Sequence, residues 1–260
     1  MNRFLCSLAT VAILATTGGV ALAYNHSLAK VENISTHRSA AKDKQKEVKN
    51  EKEEKLNQEL PKGVKPSDWD LLLVNKTHPL PKNYKADLGT IGNYKLNKKV
   101  IPHYEALAKA AKKAGNPLVI VSSYRSPDYQ EKIYQQQIDN YIKEGKSKQE
   151  AKKETADYMT KPGTSEHHTG LALDVLGADY YEDGGTLEEK FAHTKSGKWL
   201  NDHCAEYGFI IRYPKAKEKI TAIQYEPWHL RYVGKENAEY IMKHHLCLEE
   251  YIDELKEAGR

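Results

Sequence analysis

Two imidazoles and two carboxylates carry the clearest chemical signal in this chain. His167 and Asp174 stand seven positions apart in Ser165-Glu-His-His-Thr-Gly-Leu-Ala-Leu-Asp174, and a second cluster follows in Glu226-Pro-Trp-His229. His167, Asp174 and His229 can supply three ligands to a zinc ion, and catalytic zinc commonly keeps a fourth position for water. A carboxylate beside that water, here Glu226, can take its proton while the metal polarises a carbonyl. The set therefore points to hydrolysis of an amide. The competing reading makes His167 a surface residue and His229 a satisfied core histidine, and His168 competes with His167 for the ligand role. Pro227 biases Glu226 away from helical backbone. The arrangement is thus not the helical His-Glu-x-x-His type, and Glu226 is expected to reach the site from a turn before a strand.

These side chains need rigid mounts. Gly170–Val175 reads as a strand, with Ala172 and Asp174 on one face and Leu171, Leu173 and Val175 on the other. Trp228–Val233 reads as a second strand with His229 and Arg231 on one face. Arg231 could meet a substrate carboxylate, or form a surface salt bridge. Leu118–Tyr124 is rich in β-branched residues and reads as a buried strand. Phe209–Tyr213 and Ile220–Tyr225 are further strands, and Trp69–Asn75 is a short one. Helices are expected over Ile101–Ala114, ended by Gly115, and from Pro127 to Lys143, capped by Ser126 and ended by Gly145. Ser147-Lys-Gln-Glu150 is a capping-box pattern that starts another helix, broken by Lys161-Pro-Gly163. Ser196–Tyr207, Glu236–His245 and Leu248–Ala258 complete the helical set. Helices mixed with short, mostly neighbouring strands predict an α+β fold, a central antiparallel sheet with flanking helices.

The chain has 260 residues, enough for one substantial core with flanking segments. A net charge of +4, from 40 basic and 36 acidic residues, argues against a dedicated nucleic-acid binder. After one basic residue, Arg3, the run Phe4–Ala23 is uncharged and ends in Ala21-Leu22-Ala23, a pattern that suits signal-peptidase cleavage. Residues 1–23 are therefore expected to be an export signal or, uncleaved, a membrane tether through residues 4–23. Residues 24–65 are polar and charged, too poor in large apolar residues to bury much surface, and read as a spacer. The folded domain is expected over 66–260. Cys204 and Cys247 would remain after cleavage, either as a disulfide or as two buried thiols.

Several motifs in one order resemble a known family. Ser165, His167, Gly170, Ala172 and Asp174 fit its Ser-x-His-x-x-Gly-x-Ala-x-Asp pattern, and Glu226, Trp228 and His229 fit its Glu-x-Trp-His pattern. Ser122, Tyr124, Arg125, Ser126 and Gln130 fit a third, and Leu73–Lys76 a fourth. The chain in this respect resembles the VanY-type metallopeptidases, D-alanyl-D-alanine carboxypeptidases of bacterial cell walls, and their LD-carboxypeptidase relatives. The resemblance runs from about Leu71 to Gly234. It implies a single zinc-peptidase domain with Zn2+ on His167, Asp174 and His229, and Glu226 as general base. It implies Arg125 near the scissile carbonyl, where a guanidinium can hold an oxyanion or a carboxylate. Ser165 and Gln130 are the candidate substrate contacts, against loop-shaping and helix-surface roles.

The resemblance further implies removal of a terminal D-alanine from a peptidoglycan stem peptide, outside the cytoplasm, by an enzyme secreted or anchored at the cell wall; a monomer is expected. The alternatives are LD-carboxypeptidase action on the tetrapeptide stem, a wall endopeptidase, and a non-catalytic wall-binding domain.

Overall fold

The computed structural model describes residues 47–260. The expected export segment and the expected spacer up to residue 46 lie outside the described residues. The chain divides into two units, Met1–Lys52 and Glu53–Arg260. Of the first, residues 47–52 are described, and they are helical.

The second unit opens with helical residues 53–59 (α1), followed by Leu60, which is buried in an apolar cluster. A two-stranded hairpin comes next, β1 (Leu88–Ile91) and β2 (Tyr94–Asn97), then α2 (Ile101–Lys113) and β3 (Leu118–Ser122). The helices α3 (Pro127–Lys143) and α4 (Lys148–Tyr158) pair with each other. Ser126 Oγ accepts the Tyr129 amide at the start of α3, and Ser147 and Glu150 form a reciprocal box at the start of α4. A 3-10 turn, Glu166–Thr169, leads into β4 (Ala172–Gly177). The rest comprises α5 (Ala178–Glu182), a 3-10 turn at Glu189–His193, α6 (Lys195–His203), a 3-10 turn at Cys204–Tyr207, β5 (Phe209–Tyr213), α7 (Glu218–Thr221), β6 (Glu226–Tyr232), α8 (Lys235–Lys243) and α9 (Leu248–Glu257).

The central sheet has strand order β3-β4-β6-β5, and every pairing is antiparallel. This is the expected α+β architecture. One face of the sheet carries Leu173, Val175, Leu230 and Ile211, which pack with Tyr104 and Leu107 of α2, Leu200 of α6 and Phe191. Burying each such side chain stabilises the fold by about 1.5–3 kcal/mol. A second cluster joins Ile210 and Val233 to Ile241 of α8, Tyr251 and Leu255 of α9, and Leu60 and Leu71. Cys204 belongs to the first cluster and Cys247 to the second, both as free thiols, and burial pushes each up to about 12.

Two expected strands do not form. Trp69–Asn75 is irregular, because the Asp70 and Leu72 carbonyls accept hydrogen bonds from the Arg231 guanidinium instead of a neighbouring strand. Its Leu71 and Val74 are nonetheless fully buried. Ile220–Tyr225 is a turn of helix followed by a bend, with Ala222 in left-handed backbone (φ 57°) and Ile220 exposed. Its β-branched composition imitated a strand that no neighbour pairs with. The β1–β2 hairpin lacked an apolar alternation strong enough to be read. Among the described residues, no helix is long and apolar enough to cross a membrane.

Candidate zinc centre

Strand register assembles the site. Asp174 on β4 pairs directly with His229 on β6, and Ser122 on β3 pairs with Asp174 from the other side. Directly opposed residues on one sheet face bring their side chains together. Glu226, the first residue of β6, pairs with Tyr213 of β5 across an irregularity in the register. Glu226 thus lies within the strand, where pairing with β5 extends β6 through Pro227, and not in a turn before it. The fourth group, His167, comes from the 3-10 turn before β4. Gly170 connects turn to strand in left-handed backbone (φ 72°), and a side chain there would meet the Asn97 amide and Leu88. Glycine is needed at that corner for conformation and for space.

His167, Asp174 and His229 place one ligand atom each within 4.8 Å of one another, and all three are buried. His167 Nε2 stands 3.3 Å from Asp174 Oδ2, and His229 Nδ1 stands 3.2 Å from Asp174 Oδ1. Donors on a tetrahedral ion at ligand distances of about 2.0–2.1 Å are themselves roughly 3.3 Å apart. His167 Nδ1 donates to the Ser123 carbonyl at 2.7 Å, which leaves Nε2 as a lone pair with no hydrogen-bond partner. Asp174 Oδ1 has no hydrogen-bond partner either. Buried polar atoms normally find partners, so these orphans aimed at one point fit a divalent metal. His167 is buried, not at the surface, and His229 Nε2 is buried without a hydrogen-bond partner, so His229 is not a satisfied core histidine. His168 is not a rival ligand: Nδ1 donates to the Arg125 carbonyl at 2.6 Å and Nε2 accepts the Gly163 amide at 3.1 Å.

The electrostatics split the two imidazoles. Burial holds His167 down to about 4, against the pull of Asp174. Burial acts the same way on His229, but the surrounding carboxylates of Asp174, Glu166 and Glu226 override it and raise His229 well above the ordinary histidine value. Burial works to raise Asp174, yet His167 and His229 hold its carboxyl below the usual range. Glu226 Oε2 lies 3.3 Å from His229 Nδ1 and is partly exposed, at the edge of the group.

A cleft of about 270 Å³ opens over these residues. Arg125, Ser165 and Gln130 all line it, with Glu226, His167, Asp174 and His229. The Arg125 amide donates to the His167 carbonyl, and its Nε is buried without a partner. Gln130 is fully buried rather than on the helix surface. Its Nε2 donates to the Thr160 carbonyl and its Oε1 has no partner. Ser165 is buried and makes no side-chain cap to the turn that follows. Tyr213, Trp228, Leu187, Ile223 and Met159 supply the apolar wall.

Arg231 departs from both expected roles. It is fully buried beneath the site and paired with Glu166 at 2.7 Å, neither at the surface nor in the cleft. Glu166 and Tyr213, whose ring stands 4.8 Å from that of His229, escaped sequence reasoning. The available signal for Glu166 was Arg231 itself, a cation on an inward strand face that required a counter-charge.

Comparison with known proteins accords with this geometry. The family profile of VanY, D-alanyl-D-alanine carboxypeptidase, matches residues 93–235. The putative carboxypeptidase YodJ of Bacillus subtilis (strain 168) is 43% identical over 197 residues, covering 72% of this chain and 68% of that protein. The crystal structure of a vancomycin-resistance D,D-pentapeptidase VanY from a VanB-type cassette, in complex with Zn(II), superposes with a TM-score of 0.63 at 33% identity, covering 71% of this chain and 99% of the other. The LD-carboxypeptidase LdcB superposes with a TM-score of 0.61 at 39% identity, over 72% and 87%. The chain belongs to the VanY family of D-alanyl-D-alanine carboxypeptidases.

Proposed function

We propose that this protein is a zinc-dependent carboxypeptidase that removes the terminal D-alanine from peptidoglycan stem peptides. The observation that carries the reading is the convergence of His167 Nε2, Asp174 and His229 Nδ1 beside Glu226, in a cleft whose wall also presents Arg125. Family membership supports the substrate class.

His167, Asp174 and His229 hold the metal, with the Ser123 carbonyl fixing the His167 tautomer. Bound zinc would supply a Lewis acid that polarises the scissile carbonyl and acidifies water. Glu226 Oε2 takes a proton from the attacking water and returns it to the departing amine. Its place at the cleft, 22% exposed, lets it meet water that the deeper carboxylates do not. Arg125 binds the carbonyl oxygen as charge grows on it, or the terminal carboxylate, through its fork of donors. Ser165 and the free Oε1 of Gln130 orient the substrate backbone. Trp228, Leu187 and Ile223 exclude bulk water and leave room for the alanine methyl group.

Residues 1–23 export the chain, and the polar residues that follow, up to the folded unit that opens at Glu53 and already buries Leu60, act as the spacer, shorter at its C-terminal end than the expected 24–65. The uncharged run Phe4–Ala23 and the charge-rich composition that follows support this.

A second reading is LD-carboxypeptidase action on the tetrapeptide stem, favoured by the 39% identity to LdcB. Pentapeptide and tetrapeptide offered in parallel separate the two. Release of D-alanine from the pentapeptide alone supports the first reading, and release from the tetrapeptide alone overturns it in favour of the second.

A further inference from the structure

Beneath the zinc ligands lies a second layer of charge. Glu166 has a fully buried side chain, and its Oε1 accepts both Arg212 Nε and Arg231 Nη1 at 2.7 Å. Arg212 continues to Glu249 of α9 through two hydrogen bonds of 2.9 and 2.7 Å, and Asn75 donates to the same carboxylate. Arg231 is fixed further by the carbonyls of Asp70, Leu72 and Tyr232. Two carboxylates balance two guanidiniums. The network nevertheless leaves Glu166 Oε2 unpartnered, and that oxygen stands 3.8 Å from His229 Nε2, itself buried and unpartnered. Two orphaned atoms of complementary type therefore face each other across the floor of the site.

We propose that Glu166 is a positioning residue for His229: its Oε2, 3.8 Å from Nε2 and just beyond hydrogen-bond distance, faces that nitrogen with carboxylate charge, which favours the proton on Nε2 and leaves Nδ1 as the lone pair offered to zinc. Oε1 accepts both guanidiniums, so the carboxylate turns Oε2 toward Nε2 as an acceptor, and an acceptor there calls for the imidazole proton on Nε2. A carboxylate in this position orients a ligating histidine and raises its basicity. Consecutive residues of one 3-10 turn then serve two ligands, His167 by direct ligation and Glu166 through His229. Arg212 and Glu249 tie the arrangement to the C-terminal helix.

The proposal rests on the zinc reading of the site, and its test separates the two. Zinc affinity is measured by chelator competition for wild type, Glu166→Gln and Glu249→Gln. Glutamine at 166 keeps the shape but turns a donor toward Nε2–H, which favours the wrong tautomer. Glu249→Gln weakens the same network without touching His229. The expected result is a loss of roughly 10–100-fold in zinc affinity for Glu166→Gln, with Glu249→Gln close to wild type. Equal affinity in all three, or an equal loss in both variants, overturns the positioning role. No zinc binding by wild type overturns the zinc reading itself.

If Glu166→Gln does not fold, the double variant E166Q/R231Q, which retains the Arg212–Glu249 pair, takes its place. Histidine 15N NMR of the zinc-loaded wild type gives a readout that needs no variant. His229 is expected to carry an exchange-protected proton on Nε2, and a proton on Nδ1, or an unprotected one on Nε2, contradicts the proposal.

Discussion

Glu226 Oε2 lies 3.3 Å from His229 Nδ1, the same nitrogen that faces Asp174 Oδ1 at 3.2 Å. The base and the metal ligand thus share one strand and one point in space, yet only Glu226 reaches the cleft edge. Replacing Glu226 by Gln keeps the volume and removes the proton acceptor. Turnover is expected to fall by about 10²–10⁴-fold, with zinc content unchanged by elemental analysis. Full activity in that variant would assign the base elsewhere.

Arg125 presents a guanidinium to the cleft with Nε buried and unpartnered. In Arg125→Met, kcat/KM is expected to drop by about 10²–10³-fold, measured by steady-state D-alanine release. Zinc affinity should stay at the wild-type value, because Arg125 is not among the three ligand residues. A fall in kcat with constant KM would place the guanidinium on the developing oxyanion; a rise in KM alone would place it on the substrate carboxylate.

Zinc binding should depend on pH, because ligating imidazoles must be neutral. His229 is raised well above the ordinary histidine value in the metal-free protein, so loading must expel its proton near neutral pH. Zinc affinity is expected to weaken roughly tenfold for each unit that pH falls while that proton remains bound. Calorimetry in buffers of different ionisation enthalpy measures the released proton directly. For the metal-free fold the sign reverses. A histidine raised on folding stabilises below its unfolded value, about 6.5, and that contribution is lost as pH rises through the folded value.

The buried network makes its own prediction. Arg212 has no exposed side-chain surface and serves both Glu166 and Glu249. Removing one partner leaves buried carboxylates uncompensated, so Arg212→Met should destabilise the fold by about 3–5 kcal/mol. For a domain of this size that is a fall of roughly 6–20 °C in Tm, read by thermal unfolding with zinc present.

Much of the candidate site was legible in the sequence, because Asp174 and His229 sit on strands whose alternation fixes which side chains share a face, while His167 precedes β4 on a 3-10 turn. Asp174 and His229 could be placed on two strands, although their direct pairing could not, since register is a tertiary property. Helices with explicit caps, such as Ser126-Pro127 and Ser147 to Glu150, were readable to within a residue or two. Segments without periodicity were not. Trp69–Asn75 imitates a strand, but its carbonyls satisfy Arg231. Ile220–Tyr225 has strand composition, but Ala222 turns the chain. Glu166 was hidden because a carboxylate beside two histidines carries no mark of the two arginines that bury it. Both arginines come from strands distant in sequence, and only the sheet brings them to it.

The most direct test of the account is release of free D-alanine from a pentapeptide stem by the purified protein, with stoichiometric zinc and after chelation. The account predicts release that stops on chelation, returns with added zinc, and is absent in Glu226→Gln. Release that persists in the fully metal-depleted protein would contradict it, as would no release from a protein shown to hold one zinc per chain.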